Sequence, residues 1–137
     1  MTGIANGTFT VDLVPLGFDG KPEGSKLGRF SINKQINGDL IATTIGQMLS
    51  AMTDTKGSAG YVAIELVEGT LSSRKGSFVL QHSGSMDRGA QILSVTVVPD
   101  SGTGELVGLS GIFKILNIEG KHGYEFVYSL PQDKSDA

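Results

Sequence analysis

The sequence predicts one all-β domain, a closed antiparallel up-and-down barrel of about eight strands. Glycine accounts for 20 of the 137 residues, about twice its usual share, and the glycines are spread between short apolar runs. At turns and strand bends glycine reaches positive φ without steric cost, whereas it destabilises helices. Many of the runs alternate apolar and polar residues with a period of two, as half-buried strands do. A meander with no helices to cover it loses its exposed edges by closing into a barrel, and a two-sheet sandwich is the alternative.

The first two predicted strands are separated by a long polar loop. Residues 9–13 alternate apolar and polar side chains, and so do residues 29–36. Between them, residues 17–28 are rich in glycine, charged residues and proline, which is typical of a loop. The second strand has an apolar face that consists of Phe30, Ile32 and Ile36.

The dipeptide Asn37-Gly38 is the strongest hairpin signal in the sequence, because a two-residue type I′ turn requires positive φ at both central positions. Residues 45–53 after it fit either a bulged strand or a short helix, since apolar residues recur there at helical spacing. The β-branched residues before this segment and the lack of a helix cap favour the strand. The turn would place Ile36 opposite Asp39, Ile32 opposite Thr43 and Phe30 opposite Ile45.

The second half of the chain is predicted to form five further strands. Tight turns are expected at Glu68-Gly69 and Glu119-Gly120, and a loop at residues 83–89. A single domain is therefore expected over residues 1–137, with a core at about residues 8–130 and a flexible tail at 131–137. The five strands cover residues 61–67, 71–82, 92–98, 106–118 and 122–130.

Composition narrows the classes of partner. The net charge is −3 and no block of basic residues is present, so a nucleic-acid partner is not expected. No run approaches the ~20 apolar residues of a membrane helix, and the N-terminus lacks the pattern of a signal peptide, so we expect a cytoplasmic protein. The chain contains no cysteine and its two histidines lie forty positions apart, so neither a metal site nor a cofactor is expected.

The hairpin around residues 61–82 is the most informative segment for function. With a turn at Glu68-Gly69, Glu65 would lie opposite Ser72 and diagonal to Arg74, close enough for their side chains to pair. The other face would carry mainly aliphatic residues, namely Val62, Ile64, Leu66, Leu71 and Val79. The polar and aromatic face would carry Tyr61, Ala63, Glu65, Val67, Thr70, Ser72, Arg74, Phe78, Leu80 and His82.

Two arrangements of these faces are open. In the first, the polar and aromatic face lines a cavity, as in ligand pockets, and the aliphatic face then lies outside and calls for a second copy in a homo-oligomer. In the second, Val62, Ile64 and Leu66 fill a dry core, and Glu65 and Arg74 form a surface pair. The first arrangement predicts that Tyr61, Glu65, Arg74, Phe78, His82, His122, Tyr124 and Tyr128 bind the ligand.

Three functions fit these residues. The first is binding of a small, partly apolar molecule, for which the guanidinium of Arg74 would suit a carboxylate. The second is an isomerase- or cyclase-like enzyme in the same cavity, with Glu65 or His82 as the base. The third is a structural or assembly protein with a packed interior, in which His82 and His122 are merely hydrogen-bonded at strand ends.

Two stretches of sequence carry a resemblance to known barrels. Residues 99–111 (PDSGTGELVGLSG) resemble the glycine-rich turn of allene oxide cyclase-like barrels, and dirigent proteins share a similar turn. Residues 76–82 (GSFVLQH) and 120–122 (GKH) are similar to a bacterial family of domains of unknown function with that barrel. The resemblance extends over most of residues 8–130 and implies the fold. It implies no activity, because the acidic residue, Asn and Pro of the plant cyclases have no counterpart within residues 8–36.

Overall fold

A computed structural model describes residues 1–131 and shows a closed eight-stranded antiparallel barrel. Each strand pairs with the next, and the last pairs with the first, so the predicted up-and-down barrel is confirmed. Residues 45–53 lie mainly in a strand, as favoured, and the tail at 132–137 lies outside the described residues. The strands are β1 (Thr2–Leu16), β2 (Leu27–Gly38), β3 (Leu40–Met52), β4 (Ala59–Leu71), β5 (Arg74–Asp87), β6 (Ala90–Val97), β7 (Ser110–Ile118) and β8 (Lys121–Ser129).

The predicted turn at Glu68-Gly69 is wrong. Strand β4 continues through both residues, and the chain turns at Ser72 and Ser73, which have φ values of 45° and 76°. These positive values are those that a two-residue hairpin turn requires. Gly69 lies within the ladder, where a Cβ would collide with the carbonyl oxygen of Ile41 in β3. The glycine therefore allows two strands to approach closely, and it does not form the turn.

The predicted register of β2 and β3 is also wrong, by three residues. Ile36 lies opposite Ala42 and not opposite Asp39. The reason is that Asn37-Gly38 still belongs to β2, with Gly38 opposite Gly7 of β1, so the connection to β3 is wider than a two-residue turn. The other two pairs shift in the same way, with Ile32 opposite Gly46 and Phe30 opposite Met48.

Two further boundaries differ from the prediction. Residues 83–89, expected to form a loop, continue β5 as far as Asp87, and the turn lies at Arg88 and Gly89. Gly84 favours this strand because its missing Cβ leaves room for the ring of Tyr61. Within the segment expected to be a strand at 106–118, β7 begins only at Ser110, after a single 3-10 turn at Gly104–Leu106. The turn at Glu119-Gly120 is confirmed by positive φ at both residues.

The barrel has a sealed end and an open end. At the sealed end, Leu106, Leu109 and Leu130 are almost completely buried. At the open end the barrel wall is incomplete, because β7 and β8 have nine residues each whereas β3, β4 and β5 have 13 or 14. In addition, β6 and β7 pair at one position, Thr96 opposite Ile112. No helix among residues 1–131 is long and apolar enough to cross a membrane.

Candidate functional site

Four consecutive strands, β2 to β5, each turn one polar side chain towards the inside of the barrel at the same level. They are Lys34, Thr44, Glu65 and His82, with 6%, 4%, 0% and 3% of their surface exposed. Each follows from strand periodicity, because alternate residues of a strand face the same side. Lys34, for example, lies between the inward-facing Ile32 and Ile36. We call these four residues the polar network.

The carboxylate of Glu65 is the centre of the polar network. Its Oε1 lies 2.8 Å from Nε2 of His82 and accepts a hydrogen bond of 3.2 Å from Nζ of Lys34. Its Oε2 accepts a hydrogen bond of 2.6 Å from the hydroxyl of Thr44. That hydroxyl in turn accepts a 3.0 Å hydrogen bond from the backbone N–H of Lys34. Because its oxygen serves as the acceptor there, the hydroxyl proton of Thr44 is directed to Glu65.

These donors keep Glu65 ionised. Burial by itself raises the pKa of this carboxyl, but the hydrogen bond from His82, the charge of Lys34 and the hydrogen bond from Thr44 outweigh burial and lower the pKa to about 2. A group with so low a pKa is a poor proton acceptor at neutral pH. Glu65 therefore serves as a fixed negative charge that orients its neighbours.

The ammonium group of Lys34 is held from two sides. Its Nζ bonds Glu65 and lies 4.8 Å from the ring centroid of Phe9 and 5.9 Å from that of Phe113. Aromatic faces attract a cation, and more strongly when water is excluded. The positive charge of Lys34 and the negative charge of Glu65 thus compensate each other inside the barrel.

A cavity of about 400 Å³ occupies the open end, and Tyr61 in its wall lies next to His82 of the polar network. The rim is apolar, with Met52, Ile92 and Leu93 each about half or more exposed. Along β5, the inward-facing neighbour of His82 towards the open end is Gly84, which belongs to the cavity wall. The lining residues are Phe30, Met48, Ser50, Met52, Ala59, Gly60, Tyr61, Gly84, Ser85, Met86, Gln91, Ile92 and Leu93.

Tyr61 connects the cavity with the polar network. It lines the cavity, and its ring centroid lies 6.4 Å from that of His82 at an interplanar angle of 51°. Burial, followed by the negative charge of Glu65, raises the pKa of the Tyr61 hydroxyl, so the hydroxyl keeps its proton at neutral pH and remains a donor.

The second ring nitrogen of His82, Nδ1, is the free polar atom of the network. Among the described residues it has no hydrogen-bond partner, while Nε2 is bonded to Glu65. Yet no enclosed side-chain nitrogen or oxygen in this part of the chain lacks a partner. Nδ1 must therefore touch accessible space, and the ring of His82 lies beside Tyr61, which belongs to the cavity wall.

Of the eight residues expected to bind a ligand, the structure brings Tyr61, Glu65 and His82 together, and Tyr61 also lines the cavity. Phe78 and Tyr128 also face inward, but they pack in the aromatic core towards the sealed end. The alternative arrangement with an aliphatic interior is wrong, because Val62 and Ile64 are 52% and 53% exposed whereas Glu65 is fully buried.

Tyr124 likewise faces inward, but its hydroxyl is already engaged. The hydroxyl donates a 2.8 Å hydrogen bond to the carbonyl of Asn37 and accepts one of 3.0 Å from the N–H of Leu40. Burial raises the pKa of this phenol, opposed in part by the Leu40 bond and reinforced by the charge of Asp39. Tyr124 thus fixes the connection between β2 and β3, below the polar network.

The expected pairing of Glu65 with Arg74 is wrong. Because the hairpin turns at Ser72 and Ser73, Glu65 lies opposite Leu80 in β5. Arg74 begins β5 at the sealed end, and its Nη2 lies 3.5 Å from the sulfur of Met1. His122 also lies outside the polar network: it is exposed and stacks on Phe9 with ring centroids 5.1 Å apart.

Sequence reasoning missed Lys34 and Thr44, although a signal for Lys34 was present. Lys34 occupies the next inward position after Phe30 and Ile32, so the same alternation that predicts the apolar face also places an amine on it. The place of Thr44 in the polar network was not predictable from the sequence, because its position beside Lys34 depends on the register of β2 and β3. Among residues 1–131, no three His, Cys, Asp or Glu side chains come together as metal ligands.

An outward-facing apolar patch covers β3 and β4. It consists of Ile45, Leu49, Val62 and Ile64, which are 45% to 63% exposed. Leu49 lies directly opposite Val62, and Gln47 opposite Ile64, so the members are neighbours on one surface. We call them the outer stripe.

The fold and the site define a small β-barrel domain with a buried charge network below an apolar cavity. The chain belongs to the family described as protein of unknown function (DUF3224), whose profile matches residues 5–128. It is similar to the crystal structure of a protein with unknown function from this family from Shewanella oneidensis MR-1. The two are 46% identical with a TM-score of 0.91, over 97% of this chain and 100% of that chain. No curated protein matches the chain.

The comparisons confirm the expected membership of a bacterial family of domains of unknown function. The finer likeness to allene oxide cyclase barrels stays a prediction.

Proposed function

We propose that the cavity binds a small, predominantly apolar ligand through one neutral hydrogen-bonding group, which meets Tyr61 and Nδ1 of His82. The observation that carries the proposal is an apolar cavity that ends on a polar floor. Apolar walls with a few convergent polar groups are typical of ligand sites, and a volume of about 400 Å³ suits a small molecule.

The charges of the floor favour a neutral ligand. Lys34 and Glu65 compensate each other, so a carboxylate entering the cavity would meet no unpaired cation, and a buried unpaired charge is costly. Arg74, the cation first expected to bind a carboxylate, lies at the sealed end. A hydroxyl group instead matches both the donor on Tyr61 and the acceptor on His82, and a carbonyl group matches the donor on Tyr61.

The walls favour a ligand whose shape is not narrowly specified. Three of the lining residues are methionines, Met48, Met52 and Met86, and methionine side chains adapt to the shape of their neighbours. The volume is also roughly ten times that of one water molecule, which supports a binding cavity over a packed interior.

The test is a fluorescence titration with N-phenyl-1-naphthylamine, a neutral apolar probe. Ser50 lines the cavity, whereas Ser94 is exposed on the outside of β6, so Ser50→Phe and Ser94→Phe make the same change inside and outside. We expect Ser50→Phe to weaken binding by at least about tenfold, a loss of about 1.4 kcal/mol, and Ser94→Phe to bind like the wild type. No binding by the wild type, or equal binding by Ser50→Phe, would refute the proposed site.

A further inference from the structure

We infer that the floor of the cavity is a proton-transfer site, in which His82 removes a proton from a carbon acid and Glu65 is the positioning residue that orients it. This inference rests on the proposed ligand site and adds a reaction to it. It is carried by the geometry around His82, by the protonation that this geometry imposes, and by the position of Tyr61.

The hydrogen bonds around Glu65 determine which nitrogen of His82 is free. Oε1 of Glu65 is an acceptor, so the neutral imidazole of His82 must place its proton on Nε2 to form the 2.8 Å hydrogen bond. Nδ1 then carries the lone pair and faces accessible space. A histidine whose one nitrogen is held by a carboxylate and whose other nitrogen is free is the arrangement of a general base.

Neither Glu65 nor Lys34 is suited to that task. Glu65 already accepts hydrogen bonds from Thr44 and Lys34 besides its contact with His82, so about three of its four lone-pair sites are occupied, and its side chain is fully buried. The amine of Lys34 is bonded to Glu65 and covered by the ring of Phe9. Only His82 presents an unshared electron pair.

The neighbouring groups also stabilise the charges that proton transfer creates. When Nδ1 takes a proton, the imidazolium forms beside the carboxylate of Glu65, and the attraction between them is strong where water is scarce. On the ligand side, the Tyr61 hydroxyl is a donor for a developing oxyanion, on a ring that lies beside His82. The titratable groups around His82 are thus Glu65 and Tyr61 from β4 and Lys34 from β2.

The reaction class that fits is double-bond isomerisation of an apolar β,γ-unsaturated carbonyl compound. The C–H bond next to the carbonyl breaks, its proton moves to Nδ1 of His82, and its electron pair passes to the carbonyl oxygen, which accepts a hydrogen bond from Tyr61. The imidazolium then returns the proton to a second carbon of the conjugated system, and the carbonyl re-forms. The step conserves atoms and electrons and requires no co-reactant.

The probe for this base is 5-nitrobenzisoxazole, a small apolar bicyclic molecule. Removal of the proton at C3 of its isoxazole ring breaks the N–O bond, and the electrons end on the phenolate of 2-cyano-4-nitrophenol, which is measured by its absorbance. We expect the wild type to accelerate this opening above an equal concentration of free imidazole. His82→Gln should lower the rate by at least about 100-fold, the usual contribution of a general base, and should weaken N-phenyl-1-naphthylamine binding by no more than about tenfold, the loss expected for one hydrogen bond.

The control is His122→Gln, which makes the same change at the exposed histidine and should leave the rate unchanged. The role of Glu65 is tested with the pair Lys34→Met and Glu65→Gln in one chain, because the double variant leaves no unpaired buried charge. We expect kcat for ring opening to fall by at least about tenfold with KM within about threefold of the wild type, because His82 has lost the carboxylate that orients it. A merely structural role would raise KM as kcat falls.

The outcomes separate this inference from the proposed function. Probe binding with no accelerated ring opening would overturn the proton-transfer site and leave the ligand site standing. Failure of the wild type to bind N-phenyl-1-naphthylamine would overturn both the ligand site and the proton-transfer site. Undiminished ring opening by His82→Gln, with binding intact, would show that His82 is not the base.

Discussion

The two ends of the barrel are built from the same strands but use their inward side chains in opposite ways. At the sealed end, Phe126 packs against Phe78 and Phe113 with ring centroids 5.7 and 5.6 Å apart, and leucines close this end. At the open end, the inward positions of β2 to β5 carry an ion pair, a hydroxyl and an imidazole below empty space. The difference follows from strand length, because the short β7 and β8 supply packing partners only to the sealed end.

The comparison predicts that the same truncation costs far more at the sealed end. Phe126 is fully buried among Phe78, Phe113 and Tyr128, so Phe126→Ala should lower the free energy of unfolding by about 3–5 kcal/mol. Phe30→Ala, at the cavity wall, should cost roughly 1 kcal/mol, since its ring already borders a void. Urea unfolding measures both changes, and equal losses would contradict the division into two ends.

The open end should be the acid-sensitive part. The folded-state pKa of Glu65 is about 2 against 4.5 in the unfolded chain. The pKa is lowered on folding, so the stabilisation is fully present above pH 4.5 and is lost as the pH falls towards 2. This loss amounts to roughly 3 kcal/mol. The matched variant combines Lys34→Met with Glu65→Gln, and we expect unfolding measured across this pH range to show a flatter curve for it.

Removing one hydroxyl from the sealed half should have a smaller effect. The hydroxyl of Tyr124 bonds the carbonyl of Asn37 and the N–H of Leu40, so Tyr124→Phe should lower the free energy of unfolding by about 1–3 kcal/mol. The loss should not depend on pH between 2 and 4.5. Tyr61→Phe, at the cavity, serves as the comparison and should cost less, because the Tyr61 hydroxyl is less enclosed.

The smallest effect on stability is expected on the outside of the barrel. Ile64→Lys in the outer stripe should change the free energy of unfolding by less than about 0.5 kcal/mol, because Ile64 is 53% exposed. The outer stripe lies on the aliphatic face of the 61–82 hairpin. The sequence predicts that a second copy of the chain covers this face when the polar face points inward. We therefore expect the wild type to sediment as a homo-oligomer and Ile64→Lys as a monomer. A wild type that stays monomeric at high concentration would contradict this expectation.

Strand periodicity predicted much of the fold and the inward face. Tyr61, Glu65 and His82 were placed together on that face because parity along a strand is local information. Their contacts were not predictable in the same way. The turn between β4 and β5 lies four residues later than predicted, which gives Glu65 a different neighbour in β5. The side of the sheet on which each residue lies is unchanged. Gly69 shows the ambiguity, since one residue type serves both turns and close strand approach.

The cavity itself was less accessible to sequence reasoning. It arises from the difference in length between β7–β8 and β3–β5, and strand ends are marked only weakly in the sequence. Strand periodicity predicts that Lys34 faces inward, but its pairing with Glu65 depends on the register of β2 and β3. That register is fixed by Tyr124, which comes from a distant part of the chain.

The short hairpin of β7 and β8 separates two properties of the barrel that are usually tied together. The polar network is built on β2 to β5, whereas the missing part of the wall belongs to the hairpin that turns at Glu119 and Gly120. Lengthening that hairpin by a few residues would cover the cavity without moving any hydrogen-bond donor of the polar network. Pocket depth and floor chemistry are therefore encoded in different segments, and a protein engineer could vary ligand size and chemistry as independent traits.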